Sequence, residues 1–304
     1  MSTRPAPAPV LSGPAVSVLP AATRIGTATL RVADAERSLA FYRDMIGLEV
    51  IEQRPDRIAL GAGGKPFLFL EVRPGTRPRI EATTGLYHFA ILVPDRASLG
   101  GVLARIGAAR VHLGASDHLV SEALYIWDPD NNGVEVYCDH PRDSWIWENG
   151  FVRMATLPAN VREIAAVGLA AGAERKPVPA DTRMGHMHLQ VGDLGEAKHF
   201  YGDRFGFAVT AGRHGALFLG AGGYHHHLGC NTWHSLNAPR PPADTAGLKE
   251  FTVEMQDAGA LAAAKARFEA GGVATESVAN GFCVSDPWGI AMRVLNANSG
   301  GSRI

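Results

Sequence analysis

Cysteine is scarce in this 304-residue chain: Cys138, Cys230 and Cys283 are far apart and include no C-x-x-C pair. An odd, sparse set argues against a disulfide framework and predicts a reducing, cytoplasmic setting. An excess of either charge is missing too. Lys and Arg total 29 against 30 Asp and Glu, a formal net charge of -1 with a pI near 6.9. The basic residues are scattered, which excludes a nucleic-acid or anionic-membrane surface. No apolar run approaches the roughly 20 residues that span a bilayer. The first 23 residues are rich in Pro and Ala, lack the apolar stretch of a signal peptide, and read as a disordered tail. The whole chain is 46% apolar and 19% charged, the balance of a soluble protein large enough for two domains.

The organising fact is an internal repeat. Ile25–Leu48 (IGTATLRVADAERSLAFYRDMIGL) aligns without a gap on Met184–Phe207 (MGHMHLQVGDLGEAKHFYGDRFGF). The two copies share Gly26/Gly185, Val32/Val191, Asp34/Asp193, Phe41/Phe200, Tyr42/Tyr201, Asp44/Asp203 and Gly47/Gly206. Each reads as a strand, then an amphipathic helix opening near the Asp, then a Gly stop. A fainter pair is Gly85–Val93 (GLYHFAILV) and Gly247–Met255 (GLKEFTVEM), each before a helix-like stretch ending near Gly107 and Gly271/Gly272. Later, IWDPDNNGVEVY (Ile126–Tyr137) and VSDPWGIAMRVL (Val284–Leu295) each predict two strands about a D-P turn. Four strand–helix–strands modules therefore start near Ile25, Gly85, Met184 and Gly247. They form an N-terminal domain over 24–140 and a C-terminal domain over 183–298. The linker of 141–182 carries a helix at Val161–Ala171.

The four-copy layout, the RSLAFY helix and the DPxxNG turn leading to Glu135 resemble the vicinal oxygen chelate superfamily of glyoxalases, bleomycin resistance proteins and extradiol dioxygenases. The resemblance covers nearly all of 24–298. It implies an α+β fold of four βαβββ modules forming two incomplete β-barrels with helices outside. Barrel closure brings inward-facing residues of different modules to one axis. GGYHHHLGCNTW at Gly222–Trp233, followed by NAPRPP, is similar to the bacterial catechol 2,3-dioxygenase branch; DHPRDSW, with Asp139, Pro141 and Trp145, is similar too and reads as structural.

In this superfamily, metal ligands come from first strands of two modules and the last strand of one. The corresponding first-strand positions here are Thr27, His88, His186 and Glu250, and the last-strand positions are Glu135 and Arg293. Arginine has no lone pair to offer a cation. The resemblance therefore implies His88, Glu135 and His186, a 2-His-1-carboxylate set suited to Fe(II), with Mn(II) as the alternative. The set requires modules two and three to share a barrel, and so modules one and four to pair. His188, two residues along on the same strand face, is the competing ligand, and either histidine could simply be packed in a strand.

Tyr125 precedes Glu135 across the D-P turn, and His118 lies in GASDHLVSE before it. The resemblance implies that both hydrogen-bond the substrate, and that His226 of the HHH run is the acid–base histidine, with His225 and His227 on the other face. Asn231 and Trp233 continue the strand as candidate pocket residues, and Trp233 reads as readily as part of an ordinary core strand. The implied activity is extradiol cleavage of a small aromatic diol with O2 by a homo-oligomer. The rivals are a hydroquinone-type ring-cleaving enzyme, a glyoxalase-like metalloenzyme, and a metal-free small-molecule binding protein.

Overall fold

The computed structural model describes residues 17–213 and 215–298. The tail expected over 1–23 lies outside the described residues up to residue 16. From residue 17 the chain is docked: Ser17 Oγ and Val18 N both donate to the Gly206 carbonyl, at 2.9 and 3.1 Å, and Leu19 is buried.

The first module runs β1 (Arg24–Val32), α1 (Ala35–Leu39), β2 (Glu49–Gln53), β3 (Arg57–Ala62) and β4 (Lys65–Val72). The second runs β5 (Gly85–Leu92), α2 (Arg96–Ala108), β6 (Gly114–Asp117), β7 (Ser121–Trp127) and β8 (Gly133–Asp139). Between the halves lie the short strands β9 (Trp147–Glu148), β10 (Phe151–Val152) and β11 (Leu157–Pro158), then α3 (Val161–Ala170). The third module is β12 (Arg183–Gln190), α4 (Leu194–Ala197), β13 (Ala208–Arg213), β14 (Ala216–Gly220) and β15 (Leu228–Asn231). The fourth is β16 (Gly247–Met255), α5 (Ala258–Ala270), β17 (Glu276–Val278), β18 (Gly281–Ser285) and β19 (Ala291–Asn296).

The repeated Asp34 and Asp193 are helix N-caps, accepting from the amides of Arg37 and Glu196. Each short helix then widens into a π-helical segment (Ala40–Ile46 and Lys198–Phe205), a departure from the plain amphipathic helix expected. Both segments stop at the repeated glycine in the left-handed region, φ 94° at Gly47 and 117° at Gly206. The repeated tyrosines have matching partners. Tyr42 donates to Asp128 at 2.7 Å and Tyr201 to Asp286 at 2.9 Å, so each repeat's helix grips the D-P turn of the module that follows it.

The architecture is α+β, two curled mixed sheets with one continuous apolar core drawn from all four modules, including Leu30, Phe89, Leu189 and Phe251. One sheet has the order β17-β18-β19-β16-β1-β4-β3-β2 and the other β11-β6-β7-β8-β5-β12-β15-β14-β13. Modules one and four thus share a sheet, and modules two and three share the other. The central junction of the second is antiparallel β5–β12, with His88 opposite His188 and His186 opposite Ala90. On its other side β5 runs parallel to β8, placing Ala90 beside Glu135. No described helix is long and apolar enough to cross a membrane.

Candidate active site

Alternation along β5, β8 and β12 turns His88, Glu135, His186 and His188 to the same side of the sheet. There they help to line a cavity of about 450 Å3, with His118, Tyr125 and His226 in its wall. The sequence-predicted residues therefore meet in one place.

His88, Glu135 and His186 are all buried, and one ligand atom from each lies within 4.8 Å of the others. His186 Nε2 is 3.1 Å from Glu135 Oε2. His88 Nε2 is only 2.9 Å from the same oxygen but lacks hydrogen-bond geometry, leaving a buried nitrogen unpaired. An orphaned imidazole nitrogen converging with a second imidazole on one carboxylate oxygen fits a divalent cation, which would accept lone pairs from all three. Burial lowers the His186 pKa, leaving the neutral ring that metal ligation needs. Burial also works against the charge on Glu135, but the neighbouring His186 and His88 rings outweigh it and hold the carboxyl well below its usual range.

His188 faces the same cavity but is engaged elsewhere. Its Nε2 meets Asn231 Nδ2 at 3.0 Å, which assigns that nitrogen as acceptor. Burial holds its pKa well below the ordinary value, with His88 and His186 adding to the effect. Asn231 thus supports His188, while Trp233 is 47% exposed and stands at the cavity mouth.

His118 closes the β6–β7 turn. Its Nδ1 donates to the Ala155 carbonyl at 2.7 Å, so Nε2 accepts the Tyr125 hydroxyl at 2.7 Å. Tyr125 pairs directly across the sheet with Glu135. Burial and then the Glu135 charge push its phenol well above the usual value, so the hydroxyl keeps its proton.

The histidine run departs from the strand alternation expected of it. Residues 225–227 lie in an irregular turn ahead of β15, so each ring finds its own direction. His226 packs on His186 with ring centroids 4.2 Å apart, and burial holds its pKa well below the ordinary value. His225 turns to Asp139 at the end of β8, with Nε2 3.0 Å from Oδ1. His227 accepts from the Ala221 amide at 3.2 Å, and burial lowers its pKa to about 3. Sequence reasoning missed the Asp139–His225 contact and the aromatic wall of Tyr87 and Phe218. Tyr87 had one available signal, its place beside His88 on β5.

The other sheet has a different centre. At its matching positions Glu250 pairs with Arg293 at 3.7 Å, and Thr27 meets Thr252 at 3.2 Å between hydroxyls. Among the described residues, only His88, Glu135 and His186 form a metal-competent group.

Comparison with known proteins places this geometry in a family. The sequence model of the glyoxalase/bleomycin resistance protein/dioxygenase superfamily matches residues 24–136 and 183–293. A catechol-2,3-dioxygenase from Bacillus subtilis (strain 168) is 43% identical over 271 residues, covering 87% of this chain and 94% of that protein. A Bacillus subtilis crystal structure assigned to the dioxygenases superposes with a TM-score of 0.60 at 13% identity, covering 89% of this chain and 84% of that one. Glyoxalase I from Zea mays superposes with a TM-score of 0.53 at 16% identity, covering 90% and 92%. At such identities the two structures show the fold alone. A family match across both halves, a 43% identical relative along most of the chain and a buried His-Glu-His centre agree, and the chain belongs to the glyoxalase/bleomycin resistance protein/dioxygenase superfamily.

Proposed function

We propose that this protein is an extradiol dioxygenase that opens a catechol-type ring with O2 at a non-haem Fe(II). The observation that carries the reading is the buried His88–Glu135–His186 group at the cavity floor, flanked by a His–Tyr pair and a neutral histidine. The 43% identical relative carries the name of that activity.

His88, Glu135 and His186 would hold the iron, which when bound lowers the pKa of the diol oxygens and leaves coordination positions open to diol and O2. Around it, each side chain has a task set by its position. His226, kept neutral by burial, takes a proton from the incoming diol and returns it later. Tyr125, protonated and bonded to His118 in the unliganded site, can turn its single hydroxyl hydrogen from His118 Nε2 to oxygen on which negative charge develops. Tyr87, Phe218 and Trp233 supply flat apolar surface for the ring and keep water from it. Both atoms of O2 end in a muconic semialdehyde-type product, so no outside reductant is required.

The test is anaerobic loading of the metal-free protein with Fe(II) or Mn(II), then addition of catechol in air. One O2 consumed per catechol, with a yellow product from the Fe(II) form, supports the reading. No O2 uptake with catechol under either metal overturns it, and turnover of hydroquinone instead moves it to the para-diol class.

A further inference from the structure

Strand β13 ends in Arg213, and the turn that follows is anchored. Gly215 takes a left-handed φ of 69°, and its carbonyl accepts from the Thr232 amide at 3.0 Å. A Cβ on Gly215 would lie 2.9 Å from Cδ1 of Trp233, so the turn packs against that ring. Strand pairing settles where Arg213 faces. Phe218 stands opposite Ala211 and Ala216 opposite Arg213, and Phe218, Ala216 and Arg213 all line the catalytic cavity. Arg213 Nη1 donates to Thr156 Oγ1 at 3.2 Å, just ahead of β11. Strands β11 and β13 are the two edges of the nine-stranded sheet, so this contact draws the curled sheet together at the cavity mouth.

Charge in the cavity is divided between two places. Among its lining residues, Arg213 is the single Lys or Arg and Glu135 the single Asp or Glu. Glu135 is committed at the floor with His88 and His186. Arg213 is exposed at the rim with Trp127 and Trp233, and no carboxylate pairs with it among the described residues. A latch to Thr156 uses one donor. The guanidinium has five, in a planar fork that matches a carboxylate, and it stays charged at every accessible pH. The rim beside it holds Trp127 and Met154, apolar surroundings in which a charge pair is stronger than in water. A carboxylate arriving there unpaired would be penalised by lost hydration, and one facing Arg213 would gain a charge-assisted pair of hydrogen bonds.

We propose that Arg213 reads a carboxylate on the substrate, so that the cavity takes catechols bearing an acidic substituent on the ring edge remote from the diol. The inference rests on the ring-cleaving reading above and narrows its substrate class. With the diol at the His88–Glu135–His186 floor, the far edge of the ring faces the rim where Arg213 lies. The substituent takes no part in the bonds that break. Its contact is therefore equal in the ground state and the transition state, and acts on KM rather than kcat.

The test compares 3,4-dihydroxyphenylacetate with its methyl ester, which keeps the ring and the diol and lacks the charge. In the Fe(II)-loaded enzyme, kcat/KM from O2 uptake should be about 10-fold higher for the acid. Arg213→Gln should bring that ratio close to one by raising KM for the acid. Arg213→Lys should keep part of it, as a point charge without the fork. Thr156→Val breaks the latch and should keep the ratio. Both diols are read on the same preparation, so a general loss of activity in any variant cancels. A wild-type ratio near one overturns the proposal, as does a preference that survives in Arg213→Gln. A ratio that falls equally in Thr156→Val would make Arg213 a brace between the sheet edges. Anaerobic calorimetric titration of the Fe(II)-loaded protein with acid and ester gives the same comparison without turnover. Absence of all O2 uptake would then overturn the ring-cleaving reading, while the ratio of the two Kd values still decides the role of Arg213.

Discussion

His118 accepts the hydroxyl hydrogen of Tyr125 at 2.7 Å, because its other ring nitrogen is already committed to the Ala155 carbonyl. The pair is held from two directions, by the β7 strand and by the segment between β10 and β11. Tyr125→Phe should lower kcat by about 100- to 1,000-fold, the usual cost of losing one donor to developing oxygen charge. Bound metal, measured by elemental analysis, should stay unchanged. Loss of metal along with activity would make the pair a structural brace instead.

The ligand assignment separates two histidines on one strand. His88→Ala, Glu135→Ala and His186→Ala should each abolish stoichiometric Fe(II) binding, and His188→Ala should retain it. For the wild type, adding metal to the metal-free protein should raise Tm. A metal at about 1,000 times its Kd contributes about 4 kcal/mol to the folded state. Binding that survives in His186→Ala and fails in His188→Ala would exchange their roles.

Gly133 shows how closely the backbone approaches the site. A Cβ there would lie 2.2 Å from the Tyr87 carbonyl oxygen and 3.0 Å from the His88 Cβ. Gly133→Ala should therefore displace β5 against β8, costing about 1–3 kcal/mol in overpacking. Because the shift falls on His88, metal affinity should drop as well. Calorimetric metal titration beside urea unfolding checks both, and unchanged affinity would show that β5 absorbs the strain away from His88.

Asp286 supplies a pH prediction away from the site. Burial pushes its carboxyl up to about 6, although the Ile290 and Trp288 amides and the Tyr201 hydroxyl pull it down. The folded value lies above the roughly 4 of an unfolded chain, so the folded state binds the proton more tightly. The stability from this group is complete below pH ~4 and is lost as pH rises through about 6. Two units correspond to about 3 kcal/mol. Relative to Asp286→Asn, the wild type should lose stability on that order between pH 4 and 7, read from urea midpoints. A difference that is flat with pH would place the native Asp286 value near that of the unfolded chain.

The repeat made much of this fold legible. Asp34 and Asp193 signalled helix starts because an N-cap needs a short acceptor side chain, and Gly47 and Gly206 signalled stops because each takes a left-handed φ. Tyr42 and Tyr201 were visible as a match, but their hydrogen bonds to Asp128 and Asp286 were not, since spacing says nothing about which turn a buried hydroxyl reaches. His88, Glu135 and His186 could be singled out because the family resemblance names the strand positions that carry ligands, and Arg293 rules out the other set. Asp139 and His225 could not. His225 sits in a turn, where no periodicity fixes side-chain direction, and DHPRDSW read as scaffold.

The crossed pairing of modules has a consequence for dissection of the chain. His88 and Glu135 come before the connector at 141–182 and His186 after it, yet all three meet at the β8–β5–β12 junction. Severing the connector would give two pieces, each carrying half of both sheets and an incomplete set of ligands. Neither piece alone should bind metal, whereas mixing the two should restore binding with second-order kinetics. The covalent joint converts what would be a bimolecular encounter into an intramolecular one, and the centre exists at any dilution of the protein.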